Sequence, residues 1–341
     1  THSMRTIAQT TQIQSMQIPS VRSLAALSLF FAAGASHAIA QDQGLATTTL
    51  TPAAQATESP VPAAKPAPSA RATLRAQHAF SADLEDVPGD VSISRFAGQV
   101  GLTFPTSDRS QIGVALFSET SLYDFSDDTA FAPSVGAPWE DVQELGLGVT
   151  FRDRVTDTWS YFVGAGIDAN YEFGADVGDS LTYLGLGGVR YEVGPELGIG
   201  LGAIVSSRLE DDVFFIAFPT IDWRPSKDWR LATGPGDGRA VELRLSYIAS
   251  EEFTASLFGA FETRAFRLDE DGPVPDGVGR DWRLPVGVGL AWNPHPQVTL
   301  SLEGGAFVYS ELTLDDSNGD EISQVEPDIA PFILAELRFS F

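Results

Sequence analysis

The strongest constraint on the fold of this chain is an alternation of apolar and polar residues over unusually long segments. From Trp159 to Tyr171 every second residue is apolar, and the residues in between include Gly164, Gly166 and Asp168. Alternation with period two predicts β-strands, because successive side chains of a strand point to opposite faces. Soluble strands typically have about five or six residues, whereas membrane-spanning strands need about nine to eleven. Since glycine and charge occupy the other face, we expect the apolar face to point outward, into lipid.

Thirteen segments alternate clearly in this way, and their order requires a fourteenth. They are residues 91–104, 110–123, 142–151, 158–172, 181–193, 197–208, 213–224, 228–234, 240–248, 253–267, 281–292, 297–311 and 328–341. The last strand of an outer-membrane barrel descends to the periplasm, so counting back makes 91–104 descend too. A periplasmic N-terminus then needs one ascending strand before it, and residues 74–85 alternate and supply that strand.

The sequence therefore predicts an all-β fold, a transmembrane antiparallel up-and-down β-barrel of about 14 strands over residues 74–341. A barrel of 12 strands is the alternative, if 228–234 and 240–248 form one interrupted feature or if 74–85 stays outside. The connections mostly alternate between short and long, as short periplasmic turns and long outer loops do.

Aromatic residues lie near the ends of the predicted strands, where an interface belt would place them. We expect this belt to contain Trp159, Trp223, Trp229, Tyr247, Trp282 and Trp292. Ordinary core aromatics would not be expected to cluster at strand ends.

The N-terminal region has the pattern of a targeting segment. Arg22 precedes an apolar run, residues 23–35, and the tripeptide Ala-Ile-Ala at 38–40 provides a cleavage site before Gln41. The run is shorter than the roughly 20 residues that a spanning helix needs. We expect residues 1–40 to be a signal peptide, with a start at either Met4 or Met16.

Residues 41–73 are rich in Ala, Thr, Pro and Ser. Such a composition cannot bury a core, and it predicts a flexible periplasmic arm.

The chain ends with apolar residues at alternate positions: Leu337, Phe339 and Phe341. This ending resembles the C-terminal recognition signal of outer-membrane barrels, and the resemblance implies delivery to the barrel-insertion machinery. More loosely, residues 223–231 (WRPSKDWRL), Gly234-Pro235 and 245–247 (LSY) resemble an uncharacterised family of bacterial outer-membrane barrels of unknown function. That resemblance implies the fold and a location in the bacterial outer membrane, among membrane lipids and lipopolysaccharide, and no particular activity.

The charge and the reactive residues exclude several classes of function. A formal charge of -25 makes the chain a poor binder of nucleic acid. The only histidines after residue 40 are His78 and His295. Neither can be placed in the lumen together with a serine and an aspartate, so no Ser-His-Asp triad can be proposed. Residues 315–321 resemble the start of a calcium loop. Counted from Asp316, however, Glu321 stands where the loop needs glycine, and Pro327 stands where it needs its final glutamate. We therefore expect a protein that is not an enzyme and has no catalytic residue, cofactor or metal.

Charged residues of both signs fall on the predicted inner faces of the strands. The candidate lumen charges are Asp168, Glu172, Asp222, Arg224, Arg230, Glu242, Arg244, Glu262, Arg264, Arg283, Glu303, Glu336 and Arg338. They could form the transverse field of a pore constriction, or they could be ion pairs that fill a closed interior.

The first functional hypothesis is a passive channel for small solutes. A barrel of this size lies between small filled barrels and the porins of 16–18 strands. The presumed outer loops carry many acids and few bases, so such a channel should weakly prefer cations. The alternatives are a non-conducting structural or surface-interaction barrel and a transporter of hydrophobic compounds. The sequence leaves the solute and the oligomeric state open.

Overall fold

The computed structural model describes residues 67–127, 136–236 and 239–341. Its strands are β1 (Ser69–Asp83), β2 (Asp90–Pro105), β3 (Ser110–Phe125), β4 (Asp141–Arg154), β5 (Trp159–Glu172), β6 (Leu181–Gly194), β7 (Leu197–Arg208), β8 (Asp211–Ser226), β9 (Trp229–Gly236), β10 (Arg239–Ile248), β11 (Phe253–Arg267), β12 (Val278–His295), β13 (Val298–Asp315), β14 (Glu321–Val325) and β15 (Ala330–Ser340). None of the described residues forms a helix long and apolar enough to cross a membrane. The predicted signal peptide and most of the predicted arm lie outside the described residues.

The strands form one closed antiparallel barrel. β1 to β13 pair with their neighbours in chain order, and β15 joins β1 to β13. The wall therefore has fourteen strands, β1–β13 and β15, which confirms the predicted number and excludes the alternative of 12. In a membrane this closure matters because lipid cannot hydrogen-bond an open edge.

Some strand limits differ from those predicted. β1 begins at Ser69, so the barrel takes in residues 69–73 of the predicted arm. β12 and β13 each extend to 18 residues, and the unpredicted β14 pairs with the outer end of β13, at Leu312–Asp315. β14 has five residues, too few for its alternation to stand out in the sequence. It extends the sheet at its outer edge, beside β13 and beyond the end of β15, without adding a strand around the barrel.

The outer surface is apolar, as the sequence predicts. On β2, for example, Phe96, Val100 and Leu102 are exposed, whereas Arg95 on the opposite face is buried. Soluble proteins rarely expose such continuous apolar surface, so this face is suited to lipid.

The predicted belt residues lie at the strand ends. At the periplasmic ends Trp159, Trp223, Trp229 and Trp292 are 41–47% exposed. Trp159 packs against Tyr191, and Trp229 packs against Tyr247, with ring centroids 4.9 and 5.1 Å apart.

The wall is not uniform in height. β9 and β10 have 8 and 10 residues, whereas β8 has 16 and β11 has 15. Among the described residues, β8 pairs with β9 from Asp222 toward the periplasm, and its outer part pairs with β7 alone. Similarly, β11 pairs with β10 up to Phe261, and its residues 262–267 do not. Above the short β9–β10 hairpin the outer parts of β8 and β11 are thus not bridged by a strand.

The C-terminal residue offers a test of the assembly signal. Phe341 is exposed, and its backbone exchanges two hydrogen bonds with Ala70 of β1. We expect Phe341→Asp to lower the amount of folded barrel in the outer membrane, measured by heat-dependent gel mobility. Phe104→Asp, at another exposed phenylalanine near the periplasmic end, is the matched control. Equal losses in the two variants would mean that lipid contact, and not a terminal signal, explains the effect.

Candidate functional site

The predicted lumen charges lie on the inward-facing side of the wall. Cross-strand register places all thirteen of them opposite the lipid-facing residues, with Glu172 at the outer rim and Arg224 near the periplasmic end. The interior they enter has three levels: a polar chamber on the periplasmic side, a charge network above it, and an apolar cap at the outer end.

The centre of the charge network is Asp281 on β12, whose side chain has no exposed surface. Its carboxylate accepts hydrogen bonds from Arg95 at 2.5 Å, from Arg283 at 2.6 Å and from the hydroxyl of Tyr123 at 2.7 Å. The guanidinium of Arg283 also lies 4.9 Å from the ring centroid of Phe307. These contacts connect β2 and β3 to β12 through the interior.

A second set of contacts extends the network to β11. Arg264 pairs with Glu119 of β3 at 2.8 Å and with Glu262 at 3.3 Å. Arg95 lies 4.0 Å from Glu119 and 3.9 Å from Glu262, so the two sets share one arginine. Asp168 is also buried, on β5. Charges this deep are tolerated only when they are paired and hydrogen-bonded, so the network fills its level of the lumen.

Sequence reasoning missed four members of this network: Arg95, Glu119, Tyr123 and Asp281. Each has the inward position on its strand, so the strand parity could have identified it. The neighbouring inward residues of β2, Val91 and Ile93, are apolar and buried, which made that face resemble a lipid-facing one.

An apolar cap closes the outer level of the lumen. Trp139, from the loop between β3 and β4, is almost fully buried. Its ring centroid is 5.2 Å from that of Phe266 and 5.8 Å from those of Tyr123 and Phe125. The loop between β11 and β12 adds Leu268 and Val274 to the same cluster. The apolar pattern of the sequence predicts lipid-facing residues, and nothing in it indicates this cap.

The periplasmic level is a chamber of about 1080 Å³. Small and polar residues such as Gly101, Thr103, Gly148 and Thr150 line its wall, and turn residues such as Asp108 border it. Those turns are the short, periplasmic ones, so the chamber opens toward the periplasm.

Ion pairs are spread around this chamber. Asp222 holds Arg230 at 2.9 Å and Arg190 at 3.4 Å, with Arg224 at 4.0 Å. Elsewhere on the wall Arg244 pairs with Glu242 at 2.5 Å and with Glu303 at 2.7 Å.

Outside the residues that line the chamber, a third group joins β1 to β15, where Glu336 holds Arg75 at 3.1 Å and Arg338 at 2.8 Å. Like the groups on Asp222 and Arg244, it combines both signs. The chamber wall is thus charged but locally neutralised.

The loop that resembles a calcium site is a turn stabilised by its own backbone. Asp316 accepts hydrogen bonds from the backbone N–H groups of Asn318 at 2.8 Å and Asp320 at 3.0 Å, and these bonds hold the pKa of Asp316 below its ordinary value. Within the described ranges no group of His, Cys, Asp or Glu side chains has an arrangement that could hold a metal ion.

The network around Asp281 should contribute to stability. Replacing it by asparagine removes the charge that compensates Arg95 and Arg283, and breaking a buried pair costs about 3–5 kcal/mol. We expect Asp281→Asn to lower the free energy of unfolding by about that amount, measured by urea titration in lipid vesicles. Asp157→Asn is the control, because its pair with Arg109 is largely exposed, and it should change the free energy by less than about 1 kcal/mol. Equal stabilities of the two variants would contradict the role given to Asp281.

No protein-family model and no curated protein matches this chain. Among solved structures it is similar to the COG4313 outer-membrane channel from Pseudomonas putida F1, with 12% identity, a TM-score of 0.44, and coverage of 83% of this chain and 100% of that one. The P. putida toluene transporter TodX has 9% identity, a TM-score of 0.41, and coverage of 80% and 89%. The KdgM porin has 8% identity, a TM-score of 0.31, and coverage of 79% and 99%. At these values none of the three supplies a function for this chain. Its closed wall of fourteen antiparallel strands with an apolar outer face gives the chain the architecture of an outer-membrane β-barrel.

Proposed function

We propose that this barrel is a passive channel for small solutes and that the conformation described above is its closed state. The observation that carries the proposal is the chamber of about 1080 Å³, polar and open to the periplasm. A barrel that serves only as a structural element has no need for such a space, and small barrels fill their interior with side chains.

The closed outer half favours a channel that must open before solutes pass along the barrel axis. Part of the cap is carried by loops, including Trp139 before β4 and Val274 before β12, while most of the cluster lies on strands. Loops open at lower free-energy cost than paired strands do. The charge network below the cap is carried by strands and should move less. In this proposal displacement of the loops is the opening step.

A weak preference for cations is part of the proposal. The outer loops carry most of the acids, and an opening lined by one sign of charge concentrates counter-ions. The chamber wall adds little net bias, because its arginines and its acids are nearly equal in number. Asp315, at the outer end of β13, is buried and paired with Arg280 at 2.7 Å. The preference should therefore depend on the acids that remain exposed.

The second candidate is a non-conducting barrel, which the packing of the outer half favours. The two candidates differ in whether the chamber wall affects flux.

Two glycines on β2 allow a direct test. Gly101 faces the chamber, and a Cβ placed there meets no atom within 4 Å. Gly98 faces lipid, and a Cβ there makes only an ordinary contact of 3.7 Å with the side chain of Leu74. We expect Gly101→Trp to lower the conductance in planar bilayers and the rate of sugar entry into proteoliposomes, because the indole narrows the chamber. Gly98→Trp should leave both unchanged. Wild-type protein that folds but shows neither conductance nor sugar entry would establish the non-conducting alternative.

The charge of the outer loop offers a separate test of selectivity. Asp316, Asp320 and Glu321 are exposed or partly exposed. We expect the variant Asp316→Asn/Asp320→Asn/Glu321→Gln to reduce the cation preference, measured as a reversal potential in a salt gradient. The reduction should be clear at low salt and nearly absent at about 1 M, where charges are screened within about 3 Å.

The control for selectivity neutralises Asp108 and Asp157 at the periplasmic turns. An anion-selective pore, or a preference that is the same in the loop variant at every salt concentration, would rule out control by the outer loops.

A further inference from the structure

We propose that small, uncharged, apolar molecules pass between the chamber and the membrane sideways, through the opening between β8 and β11 above the β9–β10 hairpin. This inference rests on the proposed function, because it takes the chamber to be a route for solutes. It adds a second exit and the class of molecule that would use it.

The base of the opening lies where β8 and β9 separate. The outermost backbone pair of β8 and β9 is Asp222 with Ala232. Beyond it, a side chain and not the backbone of β9 hydrogen-bonds the backbone of β8. The hydroxyl of Thr233 accepts a hydrogen bond from the N–H of Ile221 at 2.7 Å. It donates a longer one, of 3.4 Å, to the carbonyl oxygen of Pro219. Proline has no N–H to offer a neighbouring strand and is confined to edges of sheets. β8 is thus built as an edge strand at this level.

The chamber reaches this base. Thr220 and Ile221 of β8, and Thr233 and Gly234 of β9, belong to the chamber wall. A molecule inside the chamber therefore contacts the two strands at the point where they part.

The wall beyond this point is apolar on its inner side. Leu184 of β6, Ile204 of β7 and Phe218 of β8 form a buried cluster, and Leu186 and Ile216 pack against it. This cluster is separate from the apolar cap of the outer level. A polar solute would lose hydrogen bonds with water along this surface, whereas an apolar one would not.

The outer end of β11 covers the opening on its outer side. Arg267 forms a parallel bridge to Tyr171 of β5. Its guanidinium donates to Glu210 at 2.5 Å and to the carbonyl of Asp179 at 3.2 Å. These contacts join β11 to the loops at the ends of β5 and β7. The direct way outward is thus obstructed, and the remaining direction is sideways.

The opening faces lipid. The outward side chains on the free part of β8 include Val213 and Phe215, which are 69% and 67% exposed. Side chains of this kind lie in the lipid-facing belt, so the edge borders acyl chains. An apolar molecule could move from the chamber into the membrane without entering water on the outer side.

Gly234 makes the opening testable. A Cβ at this position meets no atom within 4 Å, so a tryptophan there can be accommodated and would obstruct the base of the opening. The control variants are Gly101→Trp, which narrows the chamber, and Gly98→Trp, which faces lipid. Folding of each variant is checked by heat-dependent gel mobility.

Two probes are compared in bacterial cells and in proteoliposomes made from the same variants. The first is N-phenyl-1-naphthylamine, an uncharged aromatic dye whose fluorescence rises when it enters the membrane of intact cells. The second is entry of a small sugar into the proteoliposomes. We expect Gly234→Trp to reduce dye uptake to the level of cells without the protein and to lower sugar entry less than Gly101→Trp does, because Gly234 borders the chamber only at the base of the opening. Gly101→Trp should reduce both, and Gly98→Trp neither.

Dye uptake that Gly234→Trp leaves unchanged, or dye uptake no higher in wild-type cells than in cells without the protein, would overturn the sideways route. Failure of the proposed channel has a different signature. In that case the wild type would admit no sugar, while dye uptake would still respond to Gly234→Trp and so support the sideways route.

Discussion

Closure of the wall by β1 and β15 is the constraint on which the rest of this structure depends. In lipid no water can satisfy a free N–H or C=O, so a spanning sheet must pair its first strand with its last. Here the pairing runs from Arg71 with Ser340 to Ala79 with Phe332. It fixes the parity of every strand between them. That parity in turn sends one set of side chains into lipid and the other into the lumen.

The inward-facing side chains then have to fit within the lumen. A ring of fourteen strands is too wide for backbone alone to fill, and this chain fills it unevenly. Large aromatic residues and paired charges occupy the outer and middle levels, while glycine and threonine leave space below. The sequence allows two interpretations of the lumen charges: the transverse field of a pore constriction, or ion pairs that fill a closed interior. The two interpretations thus apply at different levels of the barrel. The network around Asp281 fills the interior, and the groups on Asp222 and Arg244 border a chamber.

The sequence predicts the wall far better than it predicts the interior. Alternation identifies the strands, and parity supplies the strand before residue 91, because lipid requires an apolar outer face all along the belt. The inner face follows no such rule. Inward residues such as Ile93 and Phe125 are apolar where they meet the cap, so both faces of their strands look alike. Trp139 comes from a loop, and no periodicity indicates where a loop side chain lies.

Among the described residues, the wall beside the short β9–β10 hairpin departs from what lipid demands. An unpaired strand edge at membrane depth is costly unless it lies against protein or a water-filled space. The chain reduces this cost in two ways: Pro219 removes one donor from the edge, and the Thr233 hydroxyl replaces a backbone partner for Ile221. The sequence already shows the shortness of both strands, in the segments 228–234 and 240–248. Two more residues on each strand of the hairpin would pair more of β8 and β11. This wall instead leaves the edge of β8 unpaired, lowers the cost of the unpaired backbone groups and connects the base of the edge to a chamber. These are the features expected of a passage.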